Sequence, residues 1–195
     1  MATSLVAELA EKLSSATNNL DFDEQTLFLN TSADTVGIGT NSPASKLDVR
    51  GTMQVGVNGT GHDVKFFGST SGAYVEYDVS TNELEIRGGA ATRGKLLLST
   101  AETTVVDGNK LGQIDFQAPI DSAGTDAILV GASIWAEADA TFSSSVNSTD
   151  LVFATGDSAT ATEKMRITSD GKVGIGTTAP KDTFHVYEQV HGSPK

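Results

Sequence analysis

The chain contains no cysteine in 195 residues. Disulfide staples, thiol nucleophiles and cysteine-ligated metals are therefore excluded. Aromatic residues make up only 6%, with a single tryptophan, Trp135. A compact enzyme of this length usually carries more bulky core side chains. The high Gly, Ser, Thr, Ala and Asp content instead fits fibrous or repetitive β proteins with thin cores. Cations are scarce, 13 against 25 acids for a net charge of −12. A nucleic-acid-binding surface would need clustered Lys and Arg, so that partner is not expected. No apolar run approaches the ~18 residues of a membrane span, so neither is membrane insertion. The first residues lack the basic start and apolar centre of a signal peptide, which predicts a chain made and kept in the cytoplasm of its producer.

What the chain does have is one stretch used twice. Val36-Gly37-Ile38-Gly39-Thr40 returns as Val173-Gly174-Ile175-Gly176-Thr177, and a proline follows three residues later in each case, Pro43 and Pro180. Before each copy runs a period-two strand pattern, Thr26-Leu27-Phe28-Leu29 and Lys164-Met165-Arg166-Ile167-Thr168. A turn joins strand to stretch, at Ser32-Ala33-Asp34 and at Ser169-Asp170-Gly171. After each proline comes another alternating run, Lys46-Leu47-Asp48-Val49 and Thr183-Phe184-His185-Val186. Internal self-similarity is the feature that most constrains a fold. Here it defines two matching cassettes around a different middle.

The alternation places Leu27, Leu29, Val36 and Ile38 in one cassette core, and Met165, Ile167, Val173 and Ile175 in the other. Gly37, Gly39, Gly174 and Gly176 line the opposite side, where a glycine face implies close approach of another backbone. A hairpin plus one strand is too small to bury its own apolar face, so each cassette needs neighbours. Intertwined sibling chains around a threefold axis would supply them. Gly37-x-Gly39-x-x-Ser42 does not make a dinucleotide fingerprint. It lacks the third glycine, and Pro43 follows where a helix should open.

The string Glu163-Lys164-Met165-Arg166-Ile167-Thr168-Ser169-Asp170-Gly171-Lys172-Val173-Gly174-Ile175-Gly176-Thr177 resembles a repeat of bacteriophage tail fibres and related virion structural proteins, notably of marine and cyanobacterial phages. Segments of the middle are similar to such fibres as well, among them 61–74 and 111–119. The likeness spans roughly residues 22 to 187. It implies a virion structural protein, assembled in the host cytoplasm, with itself as a homotrimer, other virion proteins and a host-surface glycan as partners. In such fibres the repeat often precedes an intramolecular-chaperone domain, whereas this sequence stops at Lys195.

The expected fold class is mostly β: short antiparallel strands in trimeric, intertwined fibre-like or sandwich domains, with one N-terminal α-helix. Val6, Leu9, Leu13, Ala16 and Leu20 form an a/d seam on a helix over residues 2–20, read as a trimerising or docking element. The domain reading is 1–21 helix, 22–94 first cassette and β meander, 95–162 central β block, 163–195 second cassette and tail. Strands are expected at 53–57, 64–66, 74–79, 83–87, 96–98, 103–106, 112–116, 128–130, 132–136 and 151–153, from their apolar and β-branched content between turn signals. Trp135 and Ile134 point to opposite faces of a regular strand, and Trp135 is read as a buried inter-subunit contact, with a glycan-stacking platform as the alternative.

The three histidines, His62, His185 and His191, show neither catalytic nor metal-site spacing. No nucleophile elbow occurs. No catalytic residue, cofactor site or metal site is expected. The function reading is a non-enzymatic, homotrimeric fibre-like appendage, a tail fibre or short fibre. A trimeric capsid decoration or cement protein is the alternative, and a host-glycan-binding module the further one.

Overall fold

The computed structural model describes residues 19–22, 26–30, 32–118 and 124–187. The chain divides into two units, Met1–Lys95 and Leu96–Lys195. Both are built of short strands, and the protein is mostly β.

The first unit opens with β1 (Asn19–Phe22), β2 (Leu27–Asn30), β3 (Thr35–Ile38) and β4 (Leu47–Val49), paired in that order. A separate meander follows, of β5 (Val64–Phe67), β6 (Tyr74–Asp78) and β7 (Glu83–Arg87). Its alternation separates the two faces cleanly. Val64, Tyr77 and Leu84 lie side by side, as do Phe66, Val75 and Ile86. The reverse face carries the Lys65–Glu76 ion pair at 2.6 Å and the Tyr74 hydroxyl donating to Glu85 at 2.6 Å.

The second unit is one six-stranded sheet in the order β13-β12-β11-β10-β9-β8, from β8 (Lys110–Gln117), β9 (Val130–Ala138), β10 (Thr149–Thr155), β11 (Thr162–Ile167), β12 (Val173–Ile175) and β13 (Phe184–Val186). Residues 95–162 and 163–195, read separately from sequence, thus share a single sheet. The cause is direct pairing of β10 with β11, Leu151 opposite Ile167 and Phe153 opposite Met165.

Several expectations change. Pairing is antiparallel except in one place per cassette, where β4 lies parallel to β3 and β13 parallel to β12. The helix expected over 2–20 falls on residues outside the described ones up to position 18, and so do Val6, Leu9, Leu13 and Ala16. Leu20 stands in β1, opposite Leu29, so the helical reading does not extend to it. Residues 53–57 form no strand. Only a bridge between Val57 and Thr60 closes around Asn58-Gly59. Residues 96–98 and 103–106 form none either. Leu98 lies over Gly112, where a Cβ would meet it at 2.6 Å. Val106 turns the chain back through Asn109, whose N–H donates to its carbonyl at 3.0 Å. At 128–130 a 3-10 turn over Asp126–Ile128 replaces strand, and β9 begins only at Val130.

Candidate functional site

The parallel returns of the two cassettes match bond for bond, although the hairpin registers differ by one residue, Phe28 facing Gly37 in one and Arg166 facing Gly174 in the other. In the first, Val36 N–H donates to the Lys46 carbonyl at 2.8 Å and Arg50 N–H to that of Ile38 at 2.9 Å. In the second, Val173 N–H donates to Thr183 at 2.9 Å and Tyr187 N–H to Ile175 at 2.8 Å. Parallel neighbours ordinarily need a crossover of about a dozen residues or more. Here a much shorter loop suffices because local devices fold it tightly. Thr40 Oγ1 accepts from the Ser42 N–H at 3.1 Å, and Thr177 Oγ1 from the Ala179 N–H at 3.2 Å. At the far side Asp48 Oδ2 accepts the Ala44 N–H at 3.0 Å, and His185 Nδ1 accepts the Lys181 N–H at 3.3 Å. That bond holds Asp48 below the ordinary carboxylate range, the Ala44 amide being the main cause and Arg50 a lesser one. The hairpin ends also correspond. A residue at positive φ precedes the return strand in both, Asp34 at +53° and Gly171 at +84°.

The glycines explain themselves inside this frame. A Cβ on Gly174 would lie 2.7 Å from the Thr177 carbonyl oxygen, and one on Gly37 would overlap that of Thr40. The close backbone is the cassette's own loop. Sibling chains, invoked from sequence, are not needed to account for Gly37, Gly39, Gly174 or Gly176.

The other side of each cassette is where the predicted core residues gather. In the second unit Met165 stands opposite Ile175, and Ile167 opposite Val173. Pairing carries these rows across the whole sheet. One runs Ile114, Ile134, Phe153, Met165, Ile175, Val186. Its neighbour runs Gly112, Ala136, Leu151, Ile167, Val173, Phe184. Neither row holds a polar side chain. None of these residues is fully buried, and Phe184 is 64% and Val186 54% exposed. In the first unit Leu29, Val36 and Leu47 are aligned likewise, with Leu27, Ile38 and Val49 on the same face by alternation. Ile38 and Leu47 are exposed there, and the rest half-buried. All eight predicted core residues thus fall on apolar faces, which the described residues leave partly exposed, Leu98 lying over Gly112 at the β8 edge of one.

The reverse of the six-stranded sheet is closed by the chain itself. Trp135, Val152 and Ala154 form its apolar cluster, with Ala161 packed against them. Trp135 is 9% exposed, its Nε1–H donates to Glu137 at 3.0 Å, and the Lys110 ammonium sits 3.9 Å from its ring centre. The inter-subunit role expected for Trp135 is therefore replaced by one inside the chain, and no open stacking platform remains. Ile134 is the residue of that pair facing outward.

Beside this cluster lies a group that sequence reasoning missed. The Arg166 guanidinium forks onto Glu163 at 2.7 Å twice and reaches Asp150 at 2.5 Å and Glu137 at 3.5 Å. Asp150 is 2% exposed, and its second oxygen accepts the Ser169 N–H at 2.8 Å. Glu163 first, then Asp150, raise the Arg166 pKa above its already high value. Strict alternation would set Glu163 and Arg166, three apart, on opposite faces; a bulge between them, with Ala154 facing Glu163 and Phe153 facing Met165, brings both beside Asp150. The group is a structural clamp tying the hairpin turn of the second cassette to β10.

The short Ser–Asp contacts, Ser80 to Asp78, Ser133 to Asp115 and Ser169 to Asp139, all at 2.6 Å, include no histidine. Among the described residues no group of His, Asp and Glu could hold a metal ion, and no helix is long and apolar enough to cross a membrane. His191 lies outside the described residues. No protein-family model matches the chain, and no curated protein matches it either.

Proposed function

We propose that this chain is a non-enzymatic structural protein of a bacteriophage virion, a homotrimeric, fibre-like appendage of tail-fibre or short-fibre type. The observation that carries the reading is the pair of cassettes with matching parallel returns, each presenting a partly exposed apolar face. A soluble single chain rarely exposes contiguous apolar patches larger than a few hundred Å², and such patches mark association sites. The likeness of the second cassette to fibre repeats supplies the particle. The mechanism is mechanical: sibling chains bury one another's apolar faces and sheet edges, while other virion proteins hold one end. Contact with a host-surface glycan belongs to the same reading.

The deciding experiment pairs two measurements on the full chain. Light scattering at micromolar concentration is expected to give three chains per particle. Antibody labelling of intact virions is expected to mark fibres at the tail. Label spread over the head would transfer the assignment to a capsid decoration or cement protein. A particle that carries no label overturns the virion reading altogether.

A further inference from the structure

We propose that a second copy of this chain packs on the apolar face of the six-stranded sheet, with Ile134, Phe153 and Met165 at the centre of the contact. This inference rests on the homo-oligomeric reading above and names the surface that reading requires. The sheet has only one side left to offer, because Trp135 at 9% and Val152 at 0% exposure already close the other. The free side is wide. Six strands at about 4.8 Å spacing span ~24 Å from β8 to β13.

It is also large enough. Taking ~200 Å² for a free Phe side chain, Ile114, Phe116, Leu151, Phe184 and Val186 alone leave on the order of 450 Å² uncovered. The half-buried residues between them bring the face toward the ~800 Å² per partner of a stable interface. An open apolar groove of about 440 Å³, lined by Leu96, Leu98, Ile134 and Leu151 among others, marks its β8 end.

Charge selects where two copies can meet. The chain carries −12, so two copies repel over most of their surfaces. The two central rows of this face hold no charged or polar side chain, so copies meet there with no carboxylate to desolvate. A polar ligand would find no partner group. The apolar face of another copy fits at the ~10 Å separation of stacked sheets, and in a threefold ring one half of each face meets the other half of the next copy's, a heterologous contact that closes.

Because the chain has no cysteine, one introduced thiol reports unambiguously. Ile134→Cys probes the face, and Ser158→Cys, on an exposed bend, is the control. Full-length variants would be sized by light scattering, labelled with a maleimide under native conditions, and treated with a short bis-maleimide. The expected result is a multi-chain mass, labelling of Ile134→Cys at least about tenfold slower than the control, and a two-chain cross-link through Ile134→Cys. A multi-chain mass with fast labelling at that position overturns the face assignment and leaves the oligomeric reading standing. Slow labelling without a two-chain cross-link means that the chain covers its own face, which also overturns the assignment. A single-chain mass overturns both.

Discussion

Gly39 and Gly176 hold the same place in the two cassettes: each has φ of +73°, and a Cβ on either would lie 3.1 Å from a carbonyl oxygen, that of Arg50 or that of Tyr187. Those carbonyls belong to the residue just beyond β4 and β13, so each glycine sets how closely the parallel return can follow the hairpin. Left-handed backbone costs an L-residue about 1–2 kcal/mol before any contact is counted. Gly39→Ala and Gly176→Ala are expected to destabilise the chain by at least that much in urea unfolding. Gly51→Ala is the control, since a Cβ there meets nothing within 4 Å. Equal behaviour of all three would remove the glycines from the structural account.

The Arg166 clamp makes a sharper energetic statement. Removing the cation leaves Asp150, 2% exposed, without its counter-charge. Breaking a buried pair from one side costs about 3–5 kcal/mol, whereas replacing both partners by apolar groups is often nearly neutral. Arg166→Met is therefore expected to lose about 3 kcal/mol, and Arg166→Met with Asp150→Leu to recover part of it, since Glu163 and the Ser169 N–H lose their partners in the double variant. The fluorescence of Trp135, on the same face of the sheet, follows the unfolding. A double variant as unstable as the sum of its singles would show that the pair is not coupled.

Acid has a specific late target at the hairpin turn of the second cassette. The Lys172 ammonium, then the Thr168 hydroxyl, hold the Asp170 carboxyl down to about 2. An unfolded aspartate titrates near ~3.9. With the folded value depressed, the stabilisation is present above about pH 4 and is lost as pH falls toward about 2. Asp170→Asn is expected to flatten the pH dependence in that window and to remove the same contribution at neutral pH, a small loss because the pair is exposed and screened. Carboxyl-carbon NMR gives the direct check, where a midpoint near 4 would refute the pairing.

The cassettes were legible in the sequence because every device in them is local. Period-two alternation marks Met165 and Ile167, Asp-Gly marks the turn, and Pro180 marks where the ladder must stop. The parallel return was not legible. Phe184-His185-Val186 reads as a strand, but its partner and direction depend on how the loop after Gly176 packs, and alternation carries no such information. Trp135 was misassigned for a related reason. Alternation shows that it and Ile134 face opposite ways, but which face the chain covers is decided by Ala161 and the clamp on Arg166. The apolar rows became one surface only when pairing joined six strands, so their extent is a property of register and not of any single segment.

The equivalence of the two parallel returns has a chemical exception at the loop acceptor, and it is testable. Asp48 accepts the Ala44 N–H, while at the matching position His185 accepts the Lys181 N–H through Nδ1. If the loop needs an acceptor there and nothing more, His185→Asp should fold as well as the parent, and the Lys181 amide should stay protected from hydrogen exchange. His185→Leu keeps a strand-compatible side chain but offers no acceptor. It should speed exchange at Lys181 several-fold while leaving amides of β10 and β11 unchanged, since a loop bond is lost and the sheet is not. Placing histidine at the first site by Asp48→His should likewise preserve protection at Ala44 at neutral pH. A Lys181 amide that stays protected in His185→Leu would mean that the Thr177 turn and Gly176 hold the loop unaided, and that its two dissimilar acceptors follow the loop's shape without creating it.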